Sequence, residues 1–126
     1  MKLKVKETLA SILEALAGVV ESGSNNDGYW VRFADGTQIC AHSWIGTVSI
    51  NTAWGSMYES IQIDFGNWPK PFIRTPYAFS QSVNVAAQIE SLNEGTEAKV
   101  GKGYVMRPDR TNYNHAFYFI GIGRWK

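Results

Sequence analysis

The sequence predicts an all-β protein: a six-stranded antiparallel β-sandwich preceded by one short N-terminal α-helix. Three observations predict it. A helical apolar stripe is confined to the first 22 of 126 residues. From Gly28 onward, apolar and polar residues alternate with a period of two in several separate runs. No stretch between those runs carries helical periodicity, so consecutive strands pair most simply antiparallel. The expected organisation is a helix over 1–22, a linker over 23–27 and a sandwich over 28–126. At 14.1 kDa the chain can bury about two-thirds of its unfolded surface, enough for one real core.

The helix rests on Val5, Leu9, Ile12, Leu16 and Val19, spaced alternately by four and three residues. Val5, Ile12 and Val19 occupy one seam position of a heptad and Leu9 and Leu16 the other. Leu13 and Val20 widen the apolar face, and Ala10, Ala15 and Ala17 favour helix in any context. Gly23 is expected to cap the C-terminus, before a polar linker of Ser, Asn, Asp and Gly. The stripe can pack on its own domain or pair with copies of itself. A helix of about 17 residues is roughly 25 Å long and marginal alone, so it needs one partner or the other. Leucine at one seam position with β-branched residues at the other favours three or four strands in a parallel coil. Lys2, Lys4 and Lys6 crowd the positive end of the helix dipole, which suits a helix continued from a longer shaft.

Tyr29-Trp30-Val31-Arg32-Phe33 and Gln38-Ile39-Cys40-Ala41-His42 read as a hairpin closed at Asp35-Gly36, with positive φ expected at both turn residues. Ile61, Ile63 and Phe65 alternate with Gln62 and Asp64, predicting a half-buried strand. Trp68-Pro69-Lys70-Pro71 cannot sit inside a sheet and predicts a crossover. Tyr77, Phe79, Val83 and Val85 alternate again, 100–106 forms a further short strand, and 116–125 closes the chain.

Composition excludes several classes. Twelve Lys and Arg against eleven Asp and Glu give a net charge of +1, without the basic stripe of a duplex nucleic-acid binder. The apolar run Leu9 to Val20 is broken by Ser11, Glu14 and Gly18, and is too short and polar to span a bilayer. It also lacks the cleavage site of a secretory signal. The single cysteine, Cys40, rules out an intrachain disulfide framework.

Catalytic patterns are sparse. Cys40 and His42 share a strand face at roughly 6.6 Å, too far for a nucleophile and its base, and Cys40 reads as a packed thiol. Two histidines, His42 and His115, and one cysteine fall short of a metal site, and no cofactor motif is present. Glu59 and Asp64 on one strand would stand about 16 Å apart, too far for a glycosidase pair. Binding chemistry is richer. Trp44, Trp54 and Tyr58 gather around a connection through Asn51-Thr52, with Trp68 by the prolines and Tyr113 beyond. A polar loop is expected from Met106 to His115, holding Arg107, Asp109, Arg110 and two amides. Flat rings flanked by hydrogen-bonding groups suit a sugar, which has a C–H face and hydroxyl edges. Trp54, Tyr58, Arg107, Asp109, Tyr113 and His115 are therefore the candidate sugar-binding residues.

Gly28-Tyr29-Trp30-Val31-Arg32-Phe33-Ala34-Asp35-Gly36-Thr37-Gln38-Ile39-Cys40 resembles the opening hairpin of C-terminal domains in bacteriophage tail fibres. The run Phe65 to Pro76 is similar to the aromatic–proline crossover of that family, and Phe119 to Lys126 to its terminal strand. These domains in turn resemble the H-type lectin fold. The resemblance implies a parallel homotrimer, sugars bound near loops at one end and often between subunits, and the N-terminal stripe as the last turns of a trimeric shaft. It also implies a virion component, assembled in the bacterial cytoplasm, that adheres to a host-surface glycan. The alternatives are a structural trimerisation or capping module that binds nothing, and a polysaccharide depolymerase.

Overall fold

The computed structural model describes residues 7–9 and 18–126. Residues 7–9 are helical, with Leu9 exposed, while Val5, Ile12 and Leu16 lie outside the described residues. Ten strands follow: β1 (Val19–Asn25), β2 (Gly28–Phe33), β3 (Thr37–Trp54), β4 (Met57–Ser60), β5 (Ile63–Asp64), β6 (Tyr77–Ser82), β7 (Gln88–Ile89), β8 (Lys102–Gly103), β9 (Val105–Arg107) and β10 (Thr111–Arg124). All strand pairs among the described residues are antiparallel, and the class is the all-β sandwich that the alternation predicts.

The first strand corrects the expected boundaries. Residues 19–22 are not helix and 23–27 are not a free linker, because β1 pairs with β2 from Val19↔Phe33 to Asn25↔Gly28. Val19 therefore belongs to a sheet and not to a helix seam. β-branched Val19 and Val20 favour the extended backbone, and Asn26-Asp27 closes a two-residue turn in which the Asp27 amide donates to Asn25 Oδ1 at 2.9 Å. The next hairpin also departs from expectation. Its loop is Ala34-Asp35-Gly36, and of these Gly36 alone has positive φ, at 97°. The Gly36 amide donates to the Phe33 carbonyl at 3.0 Å, so a turn over 33–36 is followed by a left-handed glycine, the common three-residue hairpin.

Strand β3 is the spine. Along one edge it pairs with β10 over Thr37–Ile50, and along the other with β2 and then, from Ile50 on, with β4. β6 extends the sheet beyond β10, and β9 and β7 extend it beyond β4. A second layer covers the inner face: the small β5–β8 sheet, the 65–76 crossover and the 92–104 segment. β1, β4, β7 and the division of the expected 100–106 strand into β8 and β9 raise the strand number from six to ten.

Period-two alternation places Gln38, Cys40, His42, Trp44, Val48 and Ile50 of β3 inward, with Phe117 and Phe119 of β10 beside them. Phe65 sits centrally among Trp44, Phe117 and Phe119, at ring-centroid distances of 5.5, 6.0 and 5.0 Å. His42 lies 2.6 Å from the carbonyl oxygens of both Asp27 and Phe65, joining the first turn to the second layer. The expected strand over Ile61–Phe65 shrinks to Ile63–Asp64. Ile61 is exposed, and beyond Asp64 the Asp64 carboxylate accepts the Gly66 amide as the chain turns. Trp44 and Trp68 prove to be packing residues, and the connection expected around Asn51-Thr52 is continuous β3.

Alternation in β6 is present with its faces reversed from the usual rule. Ala78 packs inward while Tyr77 and Phe79 point to solvent. Across the ladder Phe79 lies beside Ile120, then Ala41 and Tyr29, and Tyr77 lies beside Ile122, then Ile39 and Val31. The outer face of the main sheet is thus an apolar surface four strands wide, with Tyr118 at its margin.

Cys40 is fully buried, 3.4 Å from Gln38 Nε2 and 3.5 Å from the Lys70 carbonyl, and burial pushes its thiol pKa up. Since the thiolate is the reactive form, iodoacetamide is expected to leave native Cys40 intact and to alkylate it in denaturant. Equal labelling of native and unfolded protein would contradict this packing.

Candidate functional site

One end of the sheet gathers most of the predicted residues. β9 and β10 are joined by Pro108-Asp109-Arg110 alone, so the loop expected over 106–115 is three residues long and Tyr113 and His115 stand on β10. This short connection folds Arg107 back over the strand that follows it. Arg107 pairs in register with Tyr58 of β4. Its Nε donates to Asp109 Oδ1 at 3.1 Å, and its guanidinium lies 5.5 Å from the centre of the Tyr113 ring.

Thr111, Tyr113, His115 and Phe117 share the inward face of β10 because side chains alternate. Their rings form a stack. Tyr113 and His115 are 5.0 Å apart and nearly parallel, at 5°, and His115 continues onto Phe117 at 6.4 Å and 12°. His115 is fully buried, with Nδ1 2.8 Å from the Tyr113 carbonyl. A carbonyl only accepts, so Nδ1 carries a proton, and Nε2 finds no partner among the described residues. His115 thus supports the Tyr113 ring from below, while Tyr113, 39% exposed, presents its edge and outer face.

The sequence places one further member, Arg110, in the polar loop but outside the candidate contact set. Arg110 places its guanidinium 4.9 Å from the Tyr58 ring centre, so two Arg–Tyr pairs lie side by side. The signal was present in the Pro108-Asp109 pair, which an arginine flanks on each side, Arg107 and Arg110. Trp54 stands apart. It ends β3 opposite Met57, whereas Ala53 lies opposite Tyr58, which puts Trp54 and Tyr58 on opposite faces of the hairpin. The cluster as built is cationic and aromatic, with one carboxylate at its rim, and it can offer ring faces, guanidinium donors and a carboxylate acceptor to a polyhydroxylated ligand.

On the opposite face of β4, burial and then a hydrogen bond and repulsion from Glu90 push the Glu59 carboxyl above its ordinary range. Among the described residues no three His, Cys, Asp or Glu side chains group as metal ligands, and no helix is long and apolar enough to cross a membrane.

This arrangement, an antiparallel sheet with a mostly irregular second layer, is a fold found in tail-fibre domains. It is similar to the solved structure of an N-truncated R1-type pyocin tail fibre, with 11% identity, 90% of this chain and 94% of that chain covered, and a TM-score of 0.51. A longer C-terminal piece of the P. aeruginosa R1 pyocin fibre matches at 10% identity over 82% of this chain and 28% of that chain, with a TM-score of 0.48. No protein-family model and no curated protein matches the sequence.

Proposed function

We propose that this chain is the tip domain of a phage or phage-derived tail fibre, that it forms a homotrimer, and that it attaches the fibre to a carbohydrate on the host surface. The observation that carries the reading is the Tyr58–Arg107–Asp109–Tyr113 cluster at one end of a rigid sheet, stacked on buried His115. Recognition sites commonly sit at such ends of a scaffold. Arg107 and Asp109 supply hydrogen bonds to sugar hydroxyls, and Tyr58 and Tyr113 supply ring faces. Trp54 contributes from the neighbouring hairpin tip if a longer glycan reaches it. The apolar outer face supports assembly, because a soluble monomer rarely exposes so wide an apolar patch. Three weak sites on one axis bind multivalently, so no single site needs to be tight.

Adsorption of the parent particle to host cells tests the reading. Arg107→Ala and Tyr113→Ala are each expected to lower adsorption at least tenfold, since multivalent binding amplifies each site's loss. Tyr113 is 39% exposed but the Arg107 side chain only 13%, so circular dichroism must first show that each variant keeps the wild-type fold. Wild-type adsorption by both variants would refute the assignment.

A further inference from the structure

The charge of the cluster at the end of the sheet is unbalanced. The guanidiniums of Arg107 and Arg110 share a single carboxylate, that of Asp109. Glu59 follows Tyr58 in β4 and therefore points to the other face of the strand, so it does not offset the second cation. Arg110 is exposed and enters no ion pair among the described residues. It is held instead over the Tyr58 ring, a contact that occupies none of its N–H groups, so its donors remain free for a ligand.

Arg107 is placed differently. Its side chain is only 13% exposed, so its charge is partly withdrawn from water, while the Asp109 carboxylate beside it is 62% exposed. Asp109 takes Nε alone. The terminal guanidinium nitrogens of Arg107 make no hydrogen bond among the described residues, and neither is sealed from solvent. These donors open beside those of Arg110, because Arg107 lies in register with Tyr58, the ring that carries Arg110. Coulombic attraction strengthens as water is withdrawn, and a planar guanidinium matches the paired oxygens of an anion. A site of this build favours an anionic group over a neutral hydroxyl.

We infer, resting on the glycan-binding reading above, that this cluster selects an acidic glycan, one whose sugars carry a carboxylate or a phosphate. Arg107 and Arg110 grip the anion together. Tyr58 and Tyr113 support the two guanidiniums, and Asp109 holds Arg107 through Nε and accepts from a neighbouring hydroxyl.

Surface plasmon resonance of the full chain tests this with two matched pairs of immobilised polysaccharide. One pair is polygalacturonate and its methyl ester, the other phosphomannan and mannan, which separates a carboxylate from a phosphate source. The chain is expected to bind at least one acidic member at least about tenfold more tightly than its neutral counterpart. Arg110→Gln, at an exposed position that leaves the fold intact, is expected to weaken that binding about tenfold. Arg74→Gln is expected to change it less than about twofold. Arg74 is also exposed, but it follows Ile73, whose amide donates to the Arg124 carbonyl at the opposite end of β10, so this variant removes the same charge far from the cluster. Failure to bind either acidic member, or equal binding within each pair, would overturn the inference. In the second case the glycan reading itself would stand if Tyr113→Ala lost both members alike, and in the first it is judged separately by adsorption to host cells. Equal losses in Arg110→Gln and Arg74→Gln would reduce the preference to net charge and would also overturn it.

Discussion

Replacing Phe65 by alanine is expected to remove about 3–5 kcal/mol of folding free energy. Phe65 is fully buried and bridges the two layers, touching Trp44 and Phe117 edge-on and Phe119 at a tilt. Truncation removes the ring's transfer free energy and leaves a void among three other aromatic rings, which are too bulky to collapse into it. For a chain of this length that corresponds to a fall in Tm of roughly 10–20 °C. Urea unfolding at one fixed protein concentration reads the effect, because assembly would otherwise make stability concentration-dependent. Phe65→Leu, which keeps most of the volume, should lose much less. A loss below about 1 kcal/mol for Phe65→Ala would mean that the second layer does not pack on the sheet as described.

The second large effect concerns assembly. If the chain forms the proposed trimer, Phe79→Asp combined with Ile120→Asp is expected to convert a species near three times 14.1 kDa into one of 14.1 kDa, measured by light scattering. These two side chains lie side by side across β6 and β10 and are 60% and 39% exposed in the single chain. Carboxylates there cost the monomer little, but in an interface they would be desolvated without partners. Loss of two central contacts and burial of charge should weaken association by at least about 3 kcal/mol, more than a hundredfold in affinity. Ile61→Asp is the matched control, because Ile61 is 78% exposed and stands off this face. If the double variant keeps the wild-type mass, the outer sheet face is not what joins the subunits.

Part of the candidate site was legible because it depends on local rules. Tyr113 and His115 were expected in a loop over 106–115, and their shared face and stacking follow only because β10 reaches back to Thr111. Arg107 and Asp109 flank a proline turn and meet by its reversal. Trp54 and Tyr58 are close in the chain and equally aromatic, yet the register Ala53↔Tyr58 sends them to opposite faces. A bulge between Ile50 and Thr52 helps set that register, and composition carries no trace of it. His115 was expected among the ligand contacts, whereas Gly46 across the ladder and Phe117 below enclose it completely.

By itself the sequence determined the all-β class, the hairpin at Asp35-Gly36, the Trp68–Pro71 crossover and the buried thiol of Cys40. Each follows from period-two alternation or from the fixed conformational demands of glycine and proline. Tertiary structure alone decided three further matters. Residues 19–25 form a strand because β2 offers all of them except Val20, which sits at a bulge, a register partner, and this outweighs the helical spacing of their valines. Segments 61–76 and 92–104 form the second layer through long-range contacts that no local pattern encodes. The face that β6 buries was decided the same way. Trp68 and Phe72 lie against Gly121 and Gly123 and fill the space above the inner sheet, so only small Ala78 fits inward there while Tyr77 and Phe79 face out. Alternation marks two faces of a strand, and packing volume chooses which one is inside.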